Sequence, residues 1–221
     1  MIRGVSLDAG GTLIHPWPSV GHVYADEATR HGCRRLDAAE LNLRFKQAWR
    51  NRHNGFRHTR EEWSDMVDAT FADLIPETPS TSFFPTLYER FVQPDVWKIF
   101  PDVMPMLEAL HHKRIPVVIT SNWDTRLRPL LKGLGLNQHF QDVLISLELG
   151  STKPDAGIFA AAAKSLRLPP SEILHVGDDP HADTAGALAA GFHARTVDRS
   201  SNHDGGNHTI HSLREILDLL N

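Results

Sequence analysis

The sequence predicts an α/β protein: a parallel sheet covered by helices on both faces, with an all-helical segment inserted after the first strand. Three observations carry this expectation. From residue 102 onward, short apolar runs alternate with amphipathic helical stretches. Residues 16–97 show helical periodicity alone. The first apolar run, Val5 to Leu7, stops at a carboxylate, Asp8, and then meets Ala9, Gly10, Gly11 and Thr12. A strand that ends in Asp places that side chain at its carboxyl edge, where open α/β sheets bind ligands. Glycines there let backbone N–H groups approach an anion closely. The same Asp-x-Gly-Gly stretch also serves as a plain turn.

The elements follow in order. After Leu13, the residues His15, Pro16, Trp17 and Pro18 end the strand grammar. Val20, Val23, Tyr24 and Ala28 then share one helical face, closing near Gly32. Asp37 with Glu40 is a capping-box variant ahead of Leu41, Phe45, Ala48 and Trp49. Thr59 with Glu62 opens a third helix carrying Trp63, Met66, Val67, Thr70, Phe71 and Leu74. Phe83, Phe84, Leu87, Tyr88 and Phe91 mark a fourth. The alternating part begins with a helix through Val103, Met106, Leu107 and Leu110, then a buried strand from Ile115 to Thr120, then a helix from Leu127 to Leu134. It continues with a strand from Val143 to Ser146, a helix from Pro154 to Leu166, a strand from Ile173 to Val176 and a helix from Ala182 to Ala190. A strand from Arg195 to Val197 and a helix from Leu213 to Leu220 complete the series. The expected division is residues 1–15 with 98–221 as the core and 16–97 as the helical insert.

Composition narrows the function classes. A chain of 221 residues can bury one good core, or a core with a smaller insert. A formal charge of -4 supplies no global basic field for nucleic acid or acidic lipid, so neither partner is expected. The single cysteine, Cys33, makes no internal disulfide and suits a reducing compartment. There is no apolar run of about 18 residues and no secretory pattern in residues 1–20, so the expectation is a cytoplasmic protein that does not span a membrane.

Three further strand ends carry polar groups that a buried strand would not otherwise need: Ser121 with Asn122, the loop holding Lys153, and Gly177 with Asp178, Asp179 and Asp183. Singly, each reads as a turn former, a solvated lysine or a helix cap. Together with Asp8 they place a hydroxyl, an ammonium and several carboxylates along one sheet edge.

Asp8 through Leu13, Ser121-Asn122, Lys153-Pro154-Asp155 and Gly177-Asp178-Asp179 with Asp183 occur in the order of the four motifs of the haloacid dehalogenase superfamily, which the chain resembles. Ser121-Asn122-Trp123-Asp124 and His175-Val176-Gly177-Asp178 resemble its rhythmically-expressed-gene-2-like branch. The resemblance implies a Rossmann-like core, a type C1 helical cap formed by the insert, and an active site between the two. It implies Asp8 as nucleophile, forming an aspartyl-phosphate, with Ser121 and Lys153 as its catalytic partners. Ser121, Lys153, Asn122 and the backbone at Ala9 and Gly10 would bind the phosphate. Mg²⁺ would be held by Asp8, the Gly10 carbonyl, Asp178 and Asp183, the last directly or through water. A small phosphorylated metabolite is the implied substrate.

One position departs from the superfamily's phosphatases, which generally carry a second Asp two residues after the nucleophile as general acid and base. Here it is Gly10. Positioned acid–base catalysis is worth about 10²–10⁴-fold, so substrates with good leaving groups should suffer least. His15 and His22 are candidate replacements, against the plainer reading of surface or hinge histidines. The gap keeps three alternatives open: a metal-free 2-haloacid dehalogenase, a phosphonoacetaldehyde hydrolase using Lys46, and a retired member that binds a phospho-ligand or a protein. Arg50, Arg52, His53, Arg57, His58 and Arg60 form either a solvated turn or a grip for a second anionic group. His203, His208 and His211 flank a Gly-Gly loop at a spacing that matches no metal site, so a flexible surface loop is expected from Arg199 to Asn207.

Overall fold

The computed structural model describes residues 1–53, 55–200, 206 and 208–220. The chain divides into two compact units, Met1–His15 with Ile99–Asn221, and Pro16–Lys98. Strand β1 (Gly4–Leu7) is buried along its whole length. A short strand β2 (Ile14–Pro16) follows, and it pairs in a separate two-stranded sheet with β3 (Trp97–Ile99).

The inserted unit is built from four α-helices among the described residues: α1 (Val20–Arg30), α2 (Ala38–Arg50), α3 (Arg60–Phe71) and α4 (Phe84–Arg90). Each of the first three begins where a side chain satisfies an orphaned N–H. Ser19 Oγ accepts from His22 N–H, and Asp37 Oδ1 accepts from Ala39 N–H instead of that of Glu40. The expected Thr59–Glu62 box is present in both directions, at 3.2 and 2.9 Å. Helix α3 ends at Phe71, short of the expected Leu74, because Ala72 turns extended and Asp73 takes a left-handed φ of 63°. The apolar faces meet around Tyr24, which stacks on Phe71 at 5.7 Å and meets Phe45 and Phe91 edge-on.

The other unit continues with α5 (Val103–His112), β4 (Val117–Ser121), α6 (Leu127–Gly133), β5 (Asp142–Ile145), α7 (Ser146–Leu149) and α8 (Ala156–Leu166). Then come β6 (Ile173–Gly177), α9 (Gly186–Ala189), β7 (His193–Val197) and β8 (Thr209–Ile210). The six strands form one parallel sheet in the order β5-β4-β1-β6-β7-β8, a Rossmann-like α/β core. Strand β1 lies between β4 and β6, so Val5 and Leu7 are covered from every side. Ile158, Phe159, Ala162 and Leu166 of α8 pack with Val118, Ile173 and Ala194 of the sheet.

Four details differ from the sequence expectation. Helix α8 starts at Ala156, with Asp155 in the capping position. The stretch expected as one helix from Ala182 opens instead with a wide π-type turn, Pro180–Ala185, and becomes α-helical only at Gly186. Leu213–Leu220 is a 3₁₀ helix, whose three-residue turn an eight-residue apolar pattern does not separate from an α-helix. Strand β8, two residues long, is too short to leave a periodic signal. His203, with most of the expected Arg199–Asn207 loop, lies outside the described residues. Arg199 itself is anchored: it donates to Asp102 at 2.7 Å and to the Thr12 carbonyl at 2.6 Å, and lies over the Phe100 ring. Among the described residues, no helix is long and apolar enough to cross a membrane.

Candidate active site

Parallel strands bring their carboxyl ends to one edge, so the residues after β1, β4 and β6 meet there. Asp8 follows β1, Ser121 ends β4, and Asp178 follows β6. Lys153 comes from the loop after α7, and Asp183 from the wide turn after Asp178. Asp8, Ser121, Lys153 and Asp183 are all buried.

The Asp8 carboxylate is the centre of a compact hydrogen-bonded group. Its Oδ1 accepts from Ser121 Oγ at 2.9 Å and from Lys153 Nζ at 2.7 Å. Lys153 Nζ donates also to Asp183 Oδ1 at 2.5 Å, bridging the two acids. Asn122 and Lys153 brace each other: Lys153 N–H donates to Asn122 Oδ1 at 2.8 Å, and Asn122 Nδ2 donates to the Lys153 carbonyl at 3.0 Å. The Lys153–Pro154 peptide is cis. Among the described residues, the Ala9 and Gly10 N–H groups have no backbone acceptor, whereas the Gly11 N–H is held by the Ile14 carbonyl at 2.8 Å.

The neighbouring acids divide their work. Asp179 caps the wide turn, accepting from His181 N–H at 2.8 Å and Ala182 N–H at 3.0 Å. Asp178 and Asp183 turn toward Asp8 instead, and oxygen atoms of these three carboxylates lie within 4.8 Å of one another. Two glycines make room for that gathering. A Cβ on Gly11, whose φ is 76°, would overlap the Asp178 carboxylate, and one on Gly177 would overlap that of Asp183.

Burial and the neighbouring charges together shift the proton affinities. Burial raises Asp8 above the ordinary carboxylate range, with Lys153 opposing and Asp183 adding to the shift. Asp178 presents more surface to solvent than its partners, yet lost hydration at its carboxyl, together with Asp8 and Asp183, pushes it up to about 8. Asp183 goes the other way: burial would raise it, but Lys153 and His175 outweigh that and hold it well below the usual range. Lys153 is raised, since Asp183 and Asp8 outweigh its burial. The donor set is of hard carboxylate oxygens, which fits a cation such as Mg²⁺, and a cation would offset the burial and the like charges that raise Asp178.

The structure therefore brings together Asp8, Ser121, Asn122, Lys153, Asp178 and Asp183, with Ala9 and Gly10 in the adjoining turn. At Gly10 the space is taken: a Cβ there would lie 2.9 Å from Cζ3 of Trp123. Trp123 is held in place by Ser146, whose Oγ accepts from its N–H at 3.1 Å and donates to its carbonyl at 3.2 Å. Other candidates have structural partners. The His15 ring lies 4.6 Å from that of Phe100, and His22 Nδ1 is 2.9 Å from Ser19 Oγ. Arg52 lies over Trp49, and His58 is buried among Trp49, Phe56 and Trp63. Lys46 is exposed.

Sequence reasoning assigned no role to three buried residues under the site. Ser6 of β1, Thr120 of β4 and His175 of β6 are completely buried and hydrogen-bonded in a row. The available signal was a polar side chain inside each otherwise apolar strand.

Comparison with known proteins bears on the family and the fold. Residues 2–191 match the family described as haloacid dehalogenase-like hydrolase. The chain is 31% identical over 236 residues to the haloacid dehalogenase-like hydrolase domain-containing protein 3 of Mus musculus, covering 99% of this chain and 94% of that one. It is 29% identical to a glyceraldehyde 3-phosphate phosphatase of Methanopyrus kandleri, covering 92% of this chain and 87% of that one. Among solved structures, the HAD-hydrolase YfnB of Bacillus subtilis, bound to magnesium, has the same fold: TM-score 0.79, 19% identity, 100% of this chain and 99% of that one.

Proposed function

Because this chain belongs to the haloacid dehalogenase-like hydrolases, we propose that it is a Mg²⁺-dependent phosphohydrolase that works through an aspartyl-phosphate on Asp8. The observation that carries the proposal is the meeting of Asp8, Lys153, Asp178 and Asp183 at one sheet edge, with the ammonium bridging two of the acids. A phosphatase of Methanopyrus kandleri among the relatives supports the substrate class, a small phosphorylated metabolite. A cytoplasmic location accords with the single cysteine.

In the first step a carboxylate oxygen of Asp8 forms a bond to phosphorus while the bond to the leaving oxygen breaks, and the electron pair departs with that oxygen. In the second, water attacks phosphorus, the bond to Asp8 breaks, and the carboxylate is regenerated with inorganic phosphate. Lys153 and Ser121 hold Asp8 in place, and with the amides of Ala9 and Gly10 and the Asn122 side chain they bind the oxygens on which charge develops. Asp8, the Gly10 carbonyl and Asp178, with Asp183 direct or through water, would hold Mg²⁺, which when bound would neutralise charge on the phosphoryl group. Gly10 offers no proton to the leaving group, so the reaction is fastest with leaving groups that need none, such as acyl or aryl phosphates.

The acid cluster speaks against a metal-free dehalogenase, since three gathered carboxylates without a cation blunt a nucleophile. The occupied space at Gly10 favours one second reading, a slow or retired member that retains ligand binding. The experiment that separates these readings is turnover of acetyl phosphate, p-nitrophenyl phosphate and L-2-chloropropionate with and without Mg²⁺, by wild type and Asp8→Asn. Phosphate release that requires both Mg²⁺ and Asp8 supports the proposal. Chloride release without metal overturns it, and Mg²⁺ binding without turnover moves the assignment to the binding protein.

A further inference from the structure

We propose that His175 is a positioning residue: from beneath the sheet edge it fixes the Asp183 carboxylate, which in turn holds Lys153 against Asp8. The inference rests on the reading above in taking Asp8 and Lys153 as the reactive pair.

The geometry is closed on every side. His175 sits in β6 directly beside Ser6 of β1 and is completely buried. Its Nδ1 lies 2.9 Å from Ser6 Oγ, whose single proton reaches either that nitrogen or Thr120 Oγ1 at 2.8 Å. The ring stands edge-on to Phe159, with centroids 5.3 Å apart and planes at 88°. Its Nε2 lies 3.0 Å from Asp183 Oδ1, the same oxygen that Lys153 approaches. Asp183 Oδ2 is held separately by the Asp179 N–H at 3.0 Å. In the tautomer with the proton on Nε2, Nδ1 accepts from Ser6 and the imidazole is the third donor on the two oxygens, which together fix the orientation of that carboxylate. The row Thr120–Ser6–His175–Asp183–Lys153–Asp8 thus runs from the middle of the sheet to the nucleophile.

The fold has little need of this imidazole. Without it, Ser6 keeps Thr120, and Asp183 keeps Lys153 and the Asp179 N–H, so an apolar replacement orphans neither group. What the replacement changes is the alignment of Asp183, and through it that of Lys153. Misplacement of a reacting group by about 1 Å costs about 10²-fold in rate, and partial misplacement correspondingly less.

The test compares His175→Leu, His175→Asn and His175→Gln with wild type. Gln carries an N–H donor to about the distance of Nε2, whereas Asn falls short of Asp183 and Leu has no donor. Three quantities are measured: the melting temperature, the ¹H–¹⁵N signal of the Lys153 ammonium in metal-free protein, and kcat and KM for acetyl phosphate with Mg²⁺. The expected result is a melting temperature within a few degrees of wild type for all variants. Leu and Asn shift or broaden the Lys153 signal and lower kcat by about 10–100-fold with KM little changed, and Gln recovers both. An unmoved Lys153 signal in Leu or Asn overturns the proposal, as does a kcat loss that Gln shares in full. If Leu fails to fold, Asn and Gln decide alone. If wild type turns over no phosphate ester, the phosphohydrolase reading falls, while the Lys153 signal still decides the role of His175.

Discussion

Trp123 closes the space above Gly10: Cζ3 of the indole stands 2.9 Å from where a Cβ on residue 10 would lie. Restoring an acid there by Gly10→Asp alone therefore forces the indole aside, while Ser146 keeps the Trp123 backbone where it is. The single variant is expected to melt below wild type and to gain little activity, since overpacking costs about 1–3 kcal/mol. Gly10→Asp with Trp123→Ala removes the clash, at the cost of the indole's own packing, and is expected to raise kcat/KM for an alkyl phosphate more than for p-nitrophenyl phosphate. The gain is bounded by the ~10²–10⁴-fold worth of an acid–base group. Melting curves and paired kinetics on the two substrates check this.

Asp8→Asn preserves the shape of the nucleophile and removes its charge. Loss of phosphate release by at least ~10³-fold, with folding retained through the Lys153–Asp183 pair, is the expected outcome. Mass spectrometry after quenching with acetyl phosphate should find a phosphoryl adduct on wild type and none on the variant.

The raised proton affinity of Asp178 gives the metal-free protein a pH dependence of known sign. Between the ordinary carboxylate value of 3.8 and about 8, the unfolded chain has released a proton that folded Asp178 keeps. Folded protein then binds more protons than unfolded, so this group's contribution to stability falls as pH rises through that window. Thermal melts from pH 5 to 8.5 should show the slope, and Asp178→Asn should flatten it. Mg²⁺ must displace the same proton, so its apparent affinity is expected to rise by up to about tenfold per pH unit below pH 8.

Lys153→Met leaves Asp8 and Asp183 facing each other without the ammonium between them. Breaking a buried ion pair in this way costs about 3–5 kcal/mol. Chemical denaturation should show that loss in metal-free protein at pH 7.5, with part of it recovered by saturating Mg²⁺.

Much of the site was legible in the sequence because a carboxylate or ammonium at the end of a buried strand has no apolar explanation. Asp8 and Asp178 each follow an apolar run, and a parallel sheet then brings them to one edge, where the loop after α7 adds Lys153. The Thr59 cap was legible for the same reason, since Glu62 three residues on completes a local geometry. Tertiary neighbours were not. Nothing in the order of residues says that Trp123 lies on Gly10, that Arg199 reaches Asp102, or that His175 points at Asp183 and not at Phe159 alone. The π-type turn at Pro180–Ala185 was hidden as well, because the Asp179 side chain sets it and the apolar spacing around it reads as an ordinary helix.

The insertion of the helical unit between β1 and the rest of the sheet has a consequence during synthesis. Ser121 and Lys153 are 113 and 145 residues removed from Asp8 along the chain. At about 5–20 residues per second, the central strand waits roughly 6–23 s for β4, and longer for β6. For that time Val5 and Leu7 stay unpaired on a nascent chain, open to a holding chaperone or to aggregation. The helices made in between rest on local contacts and can form meanwhile. A chain stalled before residue 153 would thus carry Asp8 without its ammonium partner, a polypeptide with most of the mass of the enzyme and none of its assembled chemistry.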